Sequence, residues 1–256
     1  MKHRILERQR DPFGTLEVTE QGGEVSLHFG NQTAQSAWRP EAPERLSFAY
    51  YKAMTLPVAL HPDPSRIAML GLGGGVMAKF LLEHTESSIH ATDLRESLGP
   101  IASRHFGLAL DHPRLTLEFA DITDPDWHPG WQRADLLLLD VFDDEGMVRL
   151  PDETVESLVA RLDDGGLVCV NVWRNTMRAV VDIHRQFAAH LHQDALVAHI
   201  PDRLNTVLIY RRQPWQPADL EAGFKRMTTD ASATLQRAQG EAWQWLQPLR
   251  GQPRNP

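Results

Sequence analysis

The chain has almost none of the residues that staple or anchor a protein. It carries one cysteine, Cys169, in 256 residues. A disulfide framework and a cysteine zinc site are therefore closed to it, which fits a reducing cytoplasm. No apolar run approaches the roughly 20 residues of a membrane span. The first ten residues, Met1 to Arg10, lack the apolar core of a signal peptide. Basic residues are outnumbered, 26 against 34 acidic, for a net charge of −8. Global electrostatics thus argues against nucleic acid as a partner and favours a cationic small substrate. No segment repeats. What remains, 42% hydrophobic and 23% charged, suits one sizeable α/β domain with appendages.

The organising stretch is Ile67 to Gly75, Ile-Ala-Met-Leu-Gly-Leu-Gly-Gly-Gly, followed by a helical pattern from Val76 to His84. Strand, tight turn, helix is the opening unit of an open parallel sheet. Glycines there permit positive φ and leave no Cβ between the backbone and a ligand. The dinucleotide fingerprint fails, because Val76 occupies its sixth position. No Gly-Lys-Ser/Thr follows, so the loop is not a P-loop. The spacing Gly71-x-Gly73-x-Gly75 resembles the nucleoside loop of proteins that bind S-adenosylmethionine or its relatives. A close strand–helix packing turn is the alternative.

Residues 12–36 read as β ribbon, with turns at Gln21-Gly22-Gly23 and Gly30-Asn31 and period-two alternation over Val25 to Phe29. Trp38 to Glu44 is a proline-bearing connector, and Leu46 to Leu60 a helix stopped by His61-Pro62-Asp63-Pro64. Strands are expected at 66–70, 88–92, 114–119, 134–139 and 167–172, with helices near 76–84, 97–107, 152–162 and 176–192. That alternation predicts a doubly wound, Rossmann-like sheet with helices on both faces. A hairpin of 195–200 and 206–211 closes its edge. Residues 216–247 form a helical tail whose Trp243 and Trp245 need burial, and the terminal six residues read as disordered. The expected division is a ribbon (1–45), a nucleoside-binding unit (46–212) and a tail (213–256).

Strands two, three and four end at Asp93, Asp121 and Asp140, and Asp143, Asp144 and Glu145 follow the last. A single Asp after a strand is usually a cap or turn former. Three in succession beside a glycine loop can each take a ligand role, since open sheets bind ligands outside the carboxyl ends of their strands. An acid after strand two can accept ribose hydroxyls, and one after strand three an exocyclic amine. One after strand four lies nearest the reacting end, where a carboxylate can position an ammonium and accept its proton. A solvated acidic loop is the plain alternative for Asp140 to Glu145.

These residues resemble the spermidine synthase family, the polyamine aminopropyltransferases, in a divergent bacterial form. The similarity covers about 12–211. It rests on the ribbon, Gly30-Asn31-Gln32-Thr33-Ala34-Gln35-Ser36, Ala49-Tyr50-Tyr51-Lys52-Ala53-Met54, His61-Pro62-Asp63-Pro64, the glycine loop, Leu139-Asp140-Val141-Phe142-Asp143 and Asp164-Gly165-Gly166-Leu167-Val168. The resemblance implies an S-adenosylmethionine-methyltransferase-like fold and transfer of the aminopropyl group of decarboxylated S-adenosylmethionine to an amine such as putrescine. Methylthioadenosine leaves, and no cofactor is bound permanently. By position it implies Asp140 as catalytic base and Asp143 and Tyr50 as substrate-binding, with Tyr51 a rival for the tyrosine. It implies Gln35, Gly71, Gly73, Asp93 and Asp121 as nucleoside-binding, a loop over the site from Asp144 to Leu150, and a homodimer through the ribbon. The chain departs from the family at Gly73, where an Asp is usual, at Lys52, where an acid is usual, and at Val141-Phe142, where two hydroxyl residues are usual.

Two rivals stand beside this reading. A methyltransferase uses the same loop and the same Asp93-like acid, but the acidic stretch after strand four would repel the donor's carboxylate. A noncatalytic nucleoside-binding module is motivated by Gly73 and Lys52. Of twelve histidines, His184, His190 and His192 cluster on one predicted helix, without a carboxylate or cysteine pattern to complete a metal site.

Overall fold

In the main sheet the strands at 66–70, 88–93, 115–119 and 134–139 run into Gly71, Asp93, Ala120-Asp121 and Asp140. This arrangement lines up every chemically equipped strand end on one edge. The protein is described from a computed structural model covering residues 3–31, 33–142, 148–173, 177–201 and 204–249. Asp143, most of the stretch from Asp144, and the terminal residues from Arg250 lie outside the described residues.

The N-terminal sheet is antiparallel, in the order β1 (His3–Asp11), β2 (Gly14–Gln21), β3 (Glu24–His28) and β4 (Ala34–Trp38). Leu16, Val18, Val25 and Leu27 point inward and join the main core, so this ribbon packs on the body of its own chain. Strand β1 is absent from the sequence reading. It carries charged residues on both faces and its two apolar ones, Ile5 and Leu6, are adjacent, so alternation cannot reveal it. Cross-strand pairs hold it instead, Arg4 with Glu20 and Arg8 with Glu17.

The expected helix at 46–60 is two, α1 (Ala49–Met54) and α2 (Leu56–Leu60). Pro57 lacks an N–H and starts a new helix in place of continuing the old one.

The main sheet then follows as β5 (Arg66–Leu70), α3 (Val76–His84), β6 (Ser88–Asp93), α4 (Leu98–Phe106), β7 (Leu115–Phe119), β8 (Ala134–Leu139), α5 (Asp152–Ala160), β9 (Leu162–Trp173), α6 (Met177–Ala188), β10 (Ala195–His199) and β11 (Asn205–Tyr210). The tail is not one helix. It breaks into α7 (Pro217–Thr229) and α8 (Ala233–Trp243), capped at Ser232, and ends in a strand, β12 (Leu246–Leu249). The order across the sheet is β12-β10-β11-β9-β8-β5-β6-β7. Strands β9, β8, β5, β6 and β7 run parallel, and β10, β11 and β12 add antiparallel pairs at one edge.

Strand β8 illustrates the two-sided burial of a parallel sheet. Leu136 and Leu138 face the cluster built with α3 and α4, while Leu137 and Leu139 face the one built with α5 and α6. The tail lies against α1 and α2. Arg226 donates to the Ala59 and Leu60 carbonyls, both at 2.9 Å, and Gln239 to the Thr55 carbonyl at 2.9 Å. Trp243 and Trp245 find their cover against the same core. Among the described residues no helix is long and apolar enough to cross a membrane.

Candidate active site

The chain lays down β5, β6 and β7 in one direction and then returns to set β8 on the other side of β5. The carboxyl ends of β5 and β8 therefore flank a topological switch point, where open sheets form a crevice. The residues leaving those ends are Gly71 and Asp140. The backbones touch: a Cβ on Gly71, whose φ is +97°, would sit 2.2 Å from the Asp140 carbonyl oxygen. The Gly71 N–H donates to the Thr92 carbonyl and the Asp140 N–H to the Leu70 carbonyl, each at 2.8 Å.

The glycine loop is held from two sides. It is a packing turn, because β4 presses on it: the Gly74 N–H donates to Ser36 Oγ at 2.8 Å, and a Cβ on Gly73 would meet that same oxygen at 2.8 Å. It also braces the acid at the end of β6. The Leu72 N–H donates to Asp93 Oδ2 at 2.7 Å and the Arg95 N–H to Asp93 Oδ1 at 3.1 Å. Burial pushes the Asp93 carboxyl up, against these backbone donors.

A cavity of about 220 Å³ opens above the switch point. It gathers Gln35, Tyr50, Gly71, Gly73, Asp93, Asp121 and Asp140, which is every sequence-expected site residue that lies within the described chain. Asp143 lies outside it. Asp121 is exposed on the rim, with Oδ1 taking the Thr123 N–H at 2.8 Å and the Thr123 hydroxyl at 2.6 Å. Val141 and Phe142 form the wall after β8, and the Val148 N–H returns to the Val141 carbonyl at 3.1 Å.

Asp140 stands at the centre of a chain of polar groups, of which sequence reasoning missed Asn171 and Asn205. Asn171 Nδ2 donates to Asp140 Oδ1 at 2.8 Å, and Asn205 Nδ2 donates to Asn171 Oδ1 at 3.1 Å. On the other side Tyr50 lies against Asp140, its hydroxyl favouring the ionised carboxylate. The Tyr50 and Tyr51 rings lie 4.5 Å apart, and the Tyr51 hydroxyl is 3.3 Å from Ser36 Oγ. Burial pushes the Asp140 carboxyl up to about 6, against the bond from Asn171 and the Tyr50 hydroxyl and with the Asp93 charge adding to the rise. Burial and then the Asp140 charge push both tyrosines well above their ordinary value, so they act as hydrogen-bond donors. Asn171 had a signal: it is the polar residue inside the apolar run Leu167 to Val172, and a buried amide needs a partner.

Lys52 does not enter the cleft. It pairs with Glu241 of α8, on the side facing the tail. His184 lies 3.3 Å from the Tyr210 hydroxyl and stacks on its ring. Among the described residues no group of histidines, cysteines and carboxylates is placed to hold a metal.

No protein-family model matches the chain. A polyamine aminopropyltransferase of Chromobacterium violaceum is 28% identical over 167 residues, which cover 64% of this chain and 63% of that protein. Another, of Neisseria meningitidis serogroup A, is 28% identical over 187 residues, covering 69% and 68%. The chain thus spans just under two thirds of the length of the first of these relatives. Among solved structures, a spermidine synthase in complex with the transition-state analogue AdoDATO superposes with a TM-score of 0.70 at 12% identity, covering 94% of this chain and 85% of the other. Human methyltransferase-like protein 13 in complex with SAH superposes with 0.60 at 18% identity, covering 81% and 96%. In sequence the chain is similar to the polyamine aminopropyltransferases, and its mixed α/β architecture is the fold of the spermidine synthases, one shared with S-adenosylmethionine methyltransferases.

Proposed function

We propose that the chain is an aminopropyltransferase, moving the aminopropyl group of decarboxylated S-adenosylmethionine to an amine of the putrescine class. The observation that carries this reading is Asp140, a half-buried carboxylate held by Asn171 beside Tyr50 at the reacting end of a nucleoside-type cleft.

In the proposed reaction the amine nitrogen attacks the methylene carbon beside the sulfonium. A C–N bond forms and the C–S bond breaks. Its electron pair stays on sulfur, and methylthioadenosine departs as a neutral thioether. The nitrogen must shed a proton, and Asp140 accepts it. A carboxyl pushed up to about 6 is ionised near neutral pH and still a stronger base than an ordinary aspartate. In this reading Asp93 receives the ribose hydroxyls, Asp121 the base amine and Gln35 the nucleoside. Gly71 and Gly73 let the backbone approach, and Tyr50 and Asp143 hold the acceptor. No cofactor is permanently bound. We further infer a cytoplasmic homodimer built through the ribbon, and the division into units 1–45, 46–212 and 213–256.

The methyltransferase reading draws on the absence of an acid from the glycine loop and on the shared fold. Mass-spectrometric product analysis separates the two. With the decarboxylated donor and a panel of diamines, methylthioadenosine and an amine heavier by one aminopropyl group are expected, and both are lost in Asp140→Asn. Adenosylhomocysteine formed only from intact S-adenosylmethionine would overturn the proposal.

A further inference from the structure

The N-terminal ribbon reaches the cleft at Phe29, at Gln35 and at the turn between β1 and β2. Its tip carries Phe13, an aromatic residue that is 51% exposed and yet lines the cavity. A phenylalanine at an exposed hairpin tip is ordinarily a liability, and a floppy one would contribute little to binding. This one is anchored. The Phe13 N–H donates to Asp11 Oδ1 at 2.9 Å. Asp11 in turn receives both arms of the Arg95 guanidinium, at 2.9 and 2.8 Å, and Arg95 adds a third bond to the Gly14 carbonyl at 3.2 Å. The guanidinium also stacks 4.8 Å above the Phe29 ring, another cavity-lining residue.

Arg95 is only 6% exposed. A buried ion pair is a poor source of net stability but an effective positioning device, because its bidentate geometry tolerates little displacement. Burial opposes the ionised form of Asp11, and the bonds from Arg95 and the Phe13 N–H outweigh it, leaving the carboxyl below its ordinary value. Arg95 faces the site with its backbone as well, since its N–H braces Asp93. One residue therefore ties the ribbon turn to the carboxylate at the end of β6.

We propose that Phe13 is a nucleoside-binding residue, its ring packing on the nucleoside moiety of the donor, and that the Arg95–Asp11 pair is the latch that positions it. The assignment rests on the nucleoside reading of the cleft. A flat purine offers a π face to any preorganised aromatic, and the ring would also shield the Asp93 end from water.

The test is titration calorimetry of the full chain with methylthioadenosine. Phe13→Ala is expected to weaken binding about tenfold, and Phe13→Tyr to stay within about twofold of the parent. Asp11→Asn is expected to weaken binding as well. Combined with Phe13→Ala it should cost less than the product of the two single effects, because latch and ring act as one unit. A half-exposed ring contributes little to folding, so Phe13→Ala should melt within about 2 °C of the parent. Asp93→Asn separates the two levels of the argument. If it leaves binding intact, the nucleoside reading of the cleft fails. If it abolishes binding while Phe13→Ala leaves the affinity unchanged, the Phe13 assignment alone fails. Unchanged affinity with an altered sedimentation coefficient would make Phe13 an assembly contact and overturn the proposal.

Discussion

Replacing Asp140 with asparagine should make the protein more stable while removing its activity. The folded state pushes this carboxyl up from an ordinary 3.8 to about 6. Each unit of difference between folded and unfolded pKa is worth about 1.4 kcal/mol, so the ionised group weakens the fold by about 3 kcal/mol near neutral pH. The sign follows from proton counting. Between pH 4 and 6 the folded state holds a proton that the unfolded state has released, so stability is greatest below the unfolded pKa and falls as pH rises through the folded one. The carboxamide has no such dependence. Urea denaturation of both proteins from pH 4 to 7.5 should show the advantage of Asp140→Asn growing by about 3 kcal/mol across that window. At pH 7.5 this corresponds to a rise in Tm of roughly 6–10 °C. A pH-independent difference, or a parent protein that gains on the variant as pH rises, would refute the electrostatic account of Asp140.

Three further outcomes are expected. Asn171→Leu removes a donor that favours the ionised carboxylate, so the rising limb of the pH–rate profile should move upward from about 6 by about one pH unit, read from kcat across pH 5 to 9. Gly71→Ala places a methyl into the Asp140 carbonyl at a backbone angle of +97°, and a loss of about 3 kcal/mol or more is expected, seen as low soluble yield and an early melt. Lys52→Glu should leave acceptor affinity unchanged, because the side chain meets Glu241 and not the cleft. It should lower stability by up to about 1 kcal/mol, recovered in the double variant with Glu241→Lys, as thermal melts would report.

The parallel core of the fold was legible because its signal is local. Ile67 to Leu70 and Leu136 to Leu139 are apolar runs stopped by glycine or aspartate, and the strands that hold them, Arg66–Leu70 and Ala134–Leu139, end where that pattern says. The aspartates were legible for the same reason: the rule that sites gather at carboxyl strand ends needs only the order of elements. What escaped depends on contacts between distant segments. Strand β1 has no apolar alternation and exists through pairing with β2. Strand β12 exists through pairing with β10. Asn205 and Ser36 acquire their meaning from partners 34 and 38 residues away, Asn171 and the Gly74 N–H. Lys52 looked like a defect in the site only because its partner, 189 residues on, could not be foreseen.

The contact between Gly71 and the Asp140 carbonyl has an evolutionary consequence. The floor of the cleft is backbone against backbone, with no side chain to trade away at the crossing point. What the cleft admits can change only through its walls, at Val141 and Phe142 after β8 and at the ribbon turn at Phe13. The floor itself admits no stepwise path, because any residue larger than glycine at position 71 must first separate two strands that the whole sheet holds together.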